Sequence, residues 1–374
     1  MKGILLFCLS FLCGSIVYAS SGTSSVSDLL AVMPNANFVA LVDVQQIYSH
    51  RWFSTIINKD PKTSEEFKKV ETLLASQGID LRQVRYLAVG GTFVRGGSFG
   101  SMYFLVNGGF ERERLMSSLA ELKKVITTQT YEGSTIYLME DSGVDLLGSV
   151  DQLKGMAKPQ RIAFVFLSQD TVCLGDLDTV KNALDVRAGK QKSLMANTDM
   201  TSYIGRTSPA ALMRFAIKIP PQEKQPAKAR SKIGNDDLED ESGSSSVPAG
   251  MNDDPFGLSK VIDSVEATYG ILDISSGITL DSNTVTKTEA DAKQMSEALT
   301  GLLTLAKMMG TSEIKDKKQA KLLNDVLSAI SISSAGREMR LTVSLSDALL
   351  DEIKAAIELE VQKSSAGAKS FPQE

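Results

Sequence analysis

The chain has 374 residues, 43% of them apolar and 23% charged, and its formal net charge at pH 7 is −5. A mildly acidic protein is poorly matched to a phosphate backbone, so the composition argues against general nucleic-acid binding. Aromatic residues make up only 6% of the chain, so extensive stacking platforms for bases or sugars are not expected.

Residues 1–19 have the layout of a secretory signal peptide. A positively charged start is followed by an almost entirely apolar run over residues 4–17 and then by the small residue Ala19. This run is short for a membrane-spanning helix, which needs about 20 apolar residues. The pattern predicts export, cleavage near Ala19, and a periplasmic or extracellular mature protein. The alternative is an uncleaved signal, which would be the protein's only link to a membrane.

The cysteines support an envelope location. Cys8 and Cys13 precede the predicted cleavage site, so Cys173 is the only cysteine of the mature chain. No internal disulfide forms in such a chain, and a low cysteine count favours a bacterial envelope over a eukaryotic secreted protein. Cys173 lies in an alternating run with no cationic neighbour, which predicts a buried strand thiol rather than a reactive one.

Residues 20–205 are predicted to form a first α+β half. Apolar periodicity and turn residues predict its elements in this order: a strand at 38–43, a helix from 63, a hairpin at 84–107, a helix at 111–126, short strands at 128–131 and 135–139, a hairpin at 162–174 and a helix at 176–188.

Residues 206–362 are predicted to form a second α+β half with a similar order. Its elements are a strand at 211–217, a hairpin at 265–285, a helix at 289–309, a hairpin at 328–345 and a helix at 347–361. Residues 220–254 are rich in charge, Pro and Ser, so they are predicted to be a disordered insertion. Residues 363–374 are predicted to be a disordered tail.

The shared order predicts the fold class. We expect an α+β protein made of a duplicated block of antiparallel hairpins, in which the helix after each hairpin covers its apolar face. The hairpin at 84–107 would then superpose on that at 265–285, and the hairpin at 162–174 on that at 328–345. The alternative is coincidence, because the order strand, hairpin, helix is common. Different strand neighbours in the two halves would favour coincidence.

A glycine-rich stretch at residues 90–101 contains a G-x-S-x-G pattern centred on Ser98. A nucleophile elbow needs a helix after the serine, whereas residues 101–106 predict a strand. The single histidine, His50, precedes Ser98, which is the wrong order for an α/β-hydrolase triad. Gly97 stands where a phosphate loop needs lysine. We interpret the stretch as a hairpin tip, with a binding loop as the alternative.

The residues predict no catalytic centre, no cofactor and no metal site. One histidine and one mature cysteine are too few for a zinc site of the His/Cys type. Asp43 ends a predicted buried strand, where a carboxylate is either a binding group or a helix cap. His50 is more typical of a helix end than of a general base. Asp43, Ser98 and His50 therefore remain candidates for binding alone.

Four short segments resemble a family of uncharacterised secreted bacterial proteins that is defined only as a domain of unknown function. The segments are Pro34 to Asp43, Gly78-Ile79-Asp80, Tyr131-Glu132-Gly133, and the run from Leu174-Gly175 through Val180 to Ala183-Leu184. The resemblance covers the first half of the chain. It implies an envelope location and an α+β duplication, and it implies no activity.

These observations favour a noncatalytic binding or scaffold protein of a bacterial envelope, with an unknown envelope protein as partner. The alternative is a carrier that holds a lipid or other apolar ligand between the two halves. Its ligand would lie beside a helix rich in long apolar side chains, which are Leu302, Leu303, Leu305, Met308 and Met309. A third alternative is a hydrolase that uses Ser98 or a pair of its abundant carboxylates.

Replacing Ser98 with alanine tests the hairpin interpretation. We expect Ser98→Ala to leave the free energy of unfolding within about 0.5 kcal/mol of the wild-type value, as for an ordinary surface substitution. Chemical denaturation followed by circular dichroism measures this change. A hydrolytic activity in the wild-type protein that the substitution abolishes would contradict the interpretation.

Overall fold

The computed structural model describes residues 25–50, 61–76, 80–94, 98–121, 126–140, 161–221, 262–313 and 316–367. The predicted signal peptide lies outside the described residues, and so does the predicted insertion from residue 222 onwards.

Twelve strands within the described residues form one antiparallel sheet. The strands are β1 Phe38–Asp43, β2 Val84–Val94, β3 Ser98–Gly108, β4 Ile126–Tyr131, β5 Ser134–Glu140, β6 Arg161–Phe166, β7 Thr171–Gly175, β8 Met213–Lys218, β9 Val265–Asp273, β10 Ile278–Thr286, β11 Ile330–Ala335 and β12 Glu338–Leu345. The α+β class and the antiparallel hairpins predicted from the sequence are therefore confirmed.

Helices pack on the two faces of this sheet and beyond one end of it. The α-helices are α1 Val26–Val32, α2 Val44–Ser49, α3 Pro61–Ser76, α4 Arg112–Glu121, α5 Leu177–Arg187, α6 Thr198–Gly205, α7 Glu289–Glu313, α8 Lys317–Ser328 and α9 Asp347–Gly367. Among the described residues, none of these helices has the length and hydropathy that crossing a membrane requires. The helix α9 extends to Gly367, and residues 368–374 of the predicted disordered tail lie outside the described residues.

The strand order is β11-β12-β10-β9-β8-β1-β2-β3-β7-β6-β5-β4. Counted outward from the central pair of β1 and β8, one side reads β1-β2-β3-β7-β6 and the other reads β8-β9-β10-β12-β11. The opening strand and both predicted hairpins of each half therefore have corresponding neighbours. The hairpin of β4 and β5 adds two strands to the N-terminal side alone.

The two faces of the sheet are distinguished by the alternation of side chains along β1. We call the face with Phe38, Ala40 and Val42 the front face, and the face with Val39 and Leu41 the back face. On the back face, α1, α5 and α6 cover a large core that extends from β5 to β10. On the front face, Leu115 of α4 joins a second core.

The expected cover of every hairpin by its own following helix is only partly observed. On the front face, Met295 and Leu299 of α7 pack against Ile332, Met339 and Leu341 of β11 and β12. The last helix, α9, instead packs mainly against α8. The physical reason is that α7 already covers the front of the last hairpin, and the back of this hairpin carries polar side chains.

Cys173 of β7 has no measurable solvent exposure within the back-face core. Burial raises the pKa of its thiol to about 12, so the reactive thiolate is scarce at neutral pH. The predicted buried strand thiol is confirmed.

The burial of Cys173 is testable with a thiol reagent. At pH 8 we expect iodoacetamide to alkylate the native mature protein far more slowly than the same protein in guanidinium chloride, because the thiol is both inaccessible and protonated. Mass spectrometry of timed samples measures the label. Native labelling as fast as in denaturant would show that Cys173 is accessible.

Candidate functional site

The three binding candidates from the sequence do not form one site. Asp43 caps the N-terminus of α2, where its carboxylate accepts hydrogen bonds from the backbone N–H of Gln46 at 3.2 Å and from Nε2 of Gln46 at 3.0 Å. His50 caps the C-terminus of the same helix through its backbone N–H, which donates to the carbonyl of Ile47 at 3.3 Å. Both residues therefore terminate one short helix.

Ser98 lies at the far end of the sheet from Asp43. Ser98 pairs with Val94, whereas β1 places Asp43 beside Tyr86 of the same strand β2. At about 3.3 Å per residue, these two points on β2 are roughly 26 Å apart. After Ser98 the chain continues as β3 to Gly108, so the helix that a nucleophile elbow needs is absent at this position.

No charged residue lies at the twelve paired positions that the four central strands place on the front face. Pairing of β2 with β1, β1 with β8, and β8 with β9 sets twelve residues in register on this face. They are Leu87, Val89 and Gly91 of β2, Phe38, Ala40 and Val42 of β1, Met213, Phe215 and Ile217 of β8, and Thr268, Gly270 and Leu272 of β9. We call these twelve residues the apolar floor.

The back face of the same strands carries charged residues. Asp43, Arg214, Lys218 and Asp273 all alternate with residues of the apolar floor. Burial lowers the pKa of the Arg214 guanidinium, because the charged form is poorly solvated there. Arg214 therefore lies on the back face even though burial there disfavours its charged form.

Part of the apolar floor is incompletely buried. Phe38, Met213, Phe215, Ile217 and Leu272 are each only partly buried, whereas Ala40 and Val42 between them are buried. Soluble proteins rarely leave contiguous apolar surface open unless a ligand or partner covers it.

Helices stand on both sides of the apolar floor. On one side, Leu115 of α4 packs into the front-face core and Arg112 lies 4.9 Å above the ring of Phe166 in β6. On the other side, α7 covers β10, β12 and β11. The apolar floor therefore lies between the part of the sheet on which α4 packs and the part that α7 covers.

The helix α2 lies at one end of the apolar floor. This helix follows β1 directly and packs against β2, with Val44 fully buried and Ile47 and Tyr48 in contact with the same core. The N-cap at Asp43 fixes the point at which the chain leaves the sheet.

Two glycines allow the strands and rings of the floor to approach closely. A Cβ atom at Gly270 would lie 2.2 Å from the carbonyl oxygen of Asp281 and 3.0 Å from Cζ of Phe215. A Cβ atom at Gly91 would lie 2.5 Å from the carbonyl oxygen of Ser101. The ring of Phe215 therefore lies beside Gly270, where any larger residue would displace it.

A polar cluster on the back face joins the two halves. Arg206 at the end of α6 donates from Nη1 to Oε1 of Glu338 at 2.6 Å, and the hydroxyl of Tyr269 donates to Oε2 of Glu338 at 2.9 Å. The ring of Tyr203 stacks on Tyr269 with a centroid distance of 5.2 Å. Burial raises the pKa of Tyr269. Because these groups satisfy one another, we interpret the cluster as a structural clamp between α6, β9 and β12.

The long apolar residues that the carrier hypothesis placed beside the ligand belong to α7 and are not members of the apolar floor. Leu302 and Leu303 are partly buried, while Leu305, Met308 and Met309 of α7 are 43%, 66% and 60% exposed. The sequence analysis also missed Phe215 and Leu272. The available signal was the alternation along β8, where Met213, Phe215 and Ile217 alternate with Arg214 and Lys218.

The described part of the chain contains no cluster of three His, Cys, Asp or Glu side chains able to hold a metal ion. The apolar floor carries no acid, base or nucleophile apart from the hydroxyl of Thr268. The arrangement is therefore suited to binding by apolar contact.

No protein-family model and no curated protein matches the chain. Solved structures of TP0453 do match it at low similarity. Crystal form III is 10% identical, covers 86% of this chain and 95% of its own, and has a TM-score of 0.38. Crystal form I is also 10% identical, covers 89% and 99% respectively, and has a TM-score of 0.37. At these TM-scores the likeness assigns neither a fold family nor a function to this chain.

The close approach at Gly270 is testable by substitution. We expect Gly270→Ala to lower the free energy of unfolding by about 1–3 kcal/mol, because the added methyl group overpacks against backbone and against Phe215. Gly301→Ala in α7 is the control, since a Cβ there meets nothing within 4 Å and alanine favours the helix by up to about 1 kcal/mol. Urea denaturation measures both. Equal stability of the two variants would contradict the described packing.

Proposed function

We propose that the protein is an exported, noncatalytic binding protein that holds an uncharged apolar ligand, such as an acyl chain, on the apolar floor. The observation that carries the proposal is the partial exposure of a floor free of charged residues, on strands that carry charges on their other face. This develops the carrier alternative from the sequence and moves its ligand onto the centre of the sheet.

Elementary energetics supports a ligand of this class. Covering apolar surface contributes about 25 cal/mol per Å² removed from water. A charged group placed on the same surface would lose its hydration without gaining a partner of opposite sign there. The apolar floor thus favours a hydrocarbon chain and disfavours an ionic ligand. The charged part of an ionic ligand would have to lie beyond the apolar floor.

A scaffold role is the second candidate, and the outer strands of the sheet favour it. The strands β4 and β11 form the two edges, and neither contains a proline or a charged residue. Such residues are common devices that protect edge strands from pairing with other chains. An envelope protein that offers an extended segment would add a strand at such an edge.

Export remains part of the proposal because of the signal-like residues 1–19. We place the mature protein in the periplasm or outside the cell, with a membrane link only if the signal is uncleaved. We also propose that the two halves arose by duplication of one block. Support comes from the equal outward strand order on the two sides of β1 and β8.

A matched pair of substitutions tests the proposed ligand site. Leu272 and Ile271 are adjacent in β9, both are partly buried, and they point to opposite faces. We expect Leu272→Glu to weaken binding of a fluorescent fatty acid by more than about tenfold, or about 1.4 kcal/mol, because it places a charge on the floor. Ile271→Glu, which lies opposite Arg214, should leave the affinity within about twofold.

Both variants are first compared with the wild type by circular dichroism and thermal unfolding, so that loss of fold is not mistaken for loss of binding. The proposal fails if the wild-type protein does not bind the probe. It also fails if the two substitutions weaken binding equally in folded protein. In either case the scaffold candidate becomes the preferred function, and the edge strands become the surface to test.

A further inference from the structure

Three phenylalanine rings meet at the end of the apolar floor that lies opposite α2. The ring of Phe99 contacts Phe38 edge to face at a centroid distance of 5.1 Å, and it contacts Phe93 in the same manner at 5.4 Å. Phe38 is the first residue of β1 and pairs with Gly91. Because Gly91 has no side chain, the rings occupy the space above it.

Phe93 and Phe99 belong to an arm that extends beyond the neighbouring strands. The pairing of β1 with β2 ends at Gly91, and the pairing of β7 with β3 ends at Tyr103. Past these points β2 and β3 pair only with each other, as Phe93 does with Phe99. The arm thus carries its two rings past the end of the sheet.

Asn37 holds this arm against the start of β1. Its Nδ2 donates to the carbonyl oxygen of Phe93 at 2.9 Å, and the backbone N–H of Phe93 donates to its Oδ1 at 2.6 Å. These two bonds substitute for the strand pairing that β1 no longer provides. The position of the rings is therefore fixed by named polar contacts.

We propose that the pair of Phe38 and Phe99 is a stop that limits the length of the hydrocarbon chain held on the apolar floor; this rests on the proposed function. A chain that lies along β1 and β8 meets α2 at one end and these rings at the other. The six residues of β1 span about 17 Å at 3.3–3.4 Å per residue, so the stop acts on the terminal part of a chain of that length.

The test measures affinity for saturated fatty acids of increasing length, from octanoic to eicosanoic acid, by displacement of a fluorescent fatty acid. Wild-type protein should show an optimum length, beyond which affinity falls. Phe99→Ala removes the ring that closes the floor, so the optimum should move to longer chains by at least one member of the even-numbered series. Fatty alcohols of the same lengths should give the same shift, because the charged end plays no part in it.

Two further variants keep the test decisive. Val94→Ala changes the same arm at a side chain that is 44% exposed, and it should leave the optimum unchanged. Phe38→Leu replaces the other ring of the pair with a smaller side chain and should shift the optimum chain length in the same direction. This variant provides the test if Phe99→Ala does not fold. An unchanged optimum in folded Phe99→Ala and Phe38→Leu overturns the stop but not the ligand site. Absence of binding to wild-type protein overturns both.

Discussion

The antiparallel pairing of β1 with β8 is the contact on which the rest of the structure depends. It joins a strand near the start of the chain to one that follows more than half of it, with Ala40 opposite Phe215 at the centre. Because side chains alternate with a period of two, this register decides which residues of both halves share the front face. A slip by one residue would bring Arg214 and Lys218 to the front and remove the uncharged surface.

The two faces of the sheet follow from this register. On the back face α1, α5 and α6 cover a core of buried apolar residues, and Arg340 pairs with Asp281 at 2.8 Å. On the front face α4 and α7 pack to either side of the centre and leave the floor between them partly open.

Most elements were predictable from the sequence because their signals are local. The alternation at residues 38–43 and the glycine turn at Gly277 place β1 and the hairpin of β9 and β10 within a residue or two of their observed bounds. The apolar floor was not predictable as a candidate site, because alternation along β8 identifies two faces but not which face the helices leave partly buried. Leucines and methionines at helical spacing in α7 likewise do not indicate whether they meet a ligand, a neighbouring helix or solvent.

Native mass spectrometry of the protein purified from its own cells tests the central claim most directly. If the apolar floor holds a ligand, the folded protein should carry a stoichiometric additional mass, and organic extraction should release it as a compound with a hydrocarbon chain. Leu272→Glu protein purified in the same way should lack this mass while remaining folded. A wild-type protein that is free of bound mass, and that gains none when mixed with lipid extract, would contradict the account.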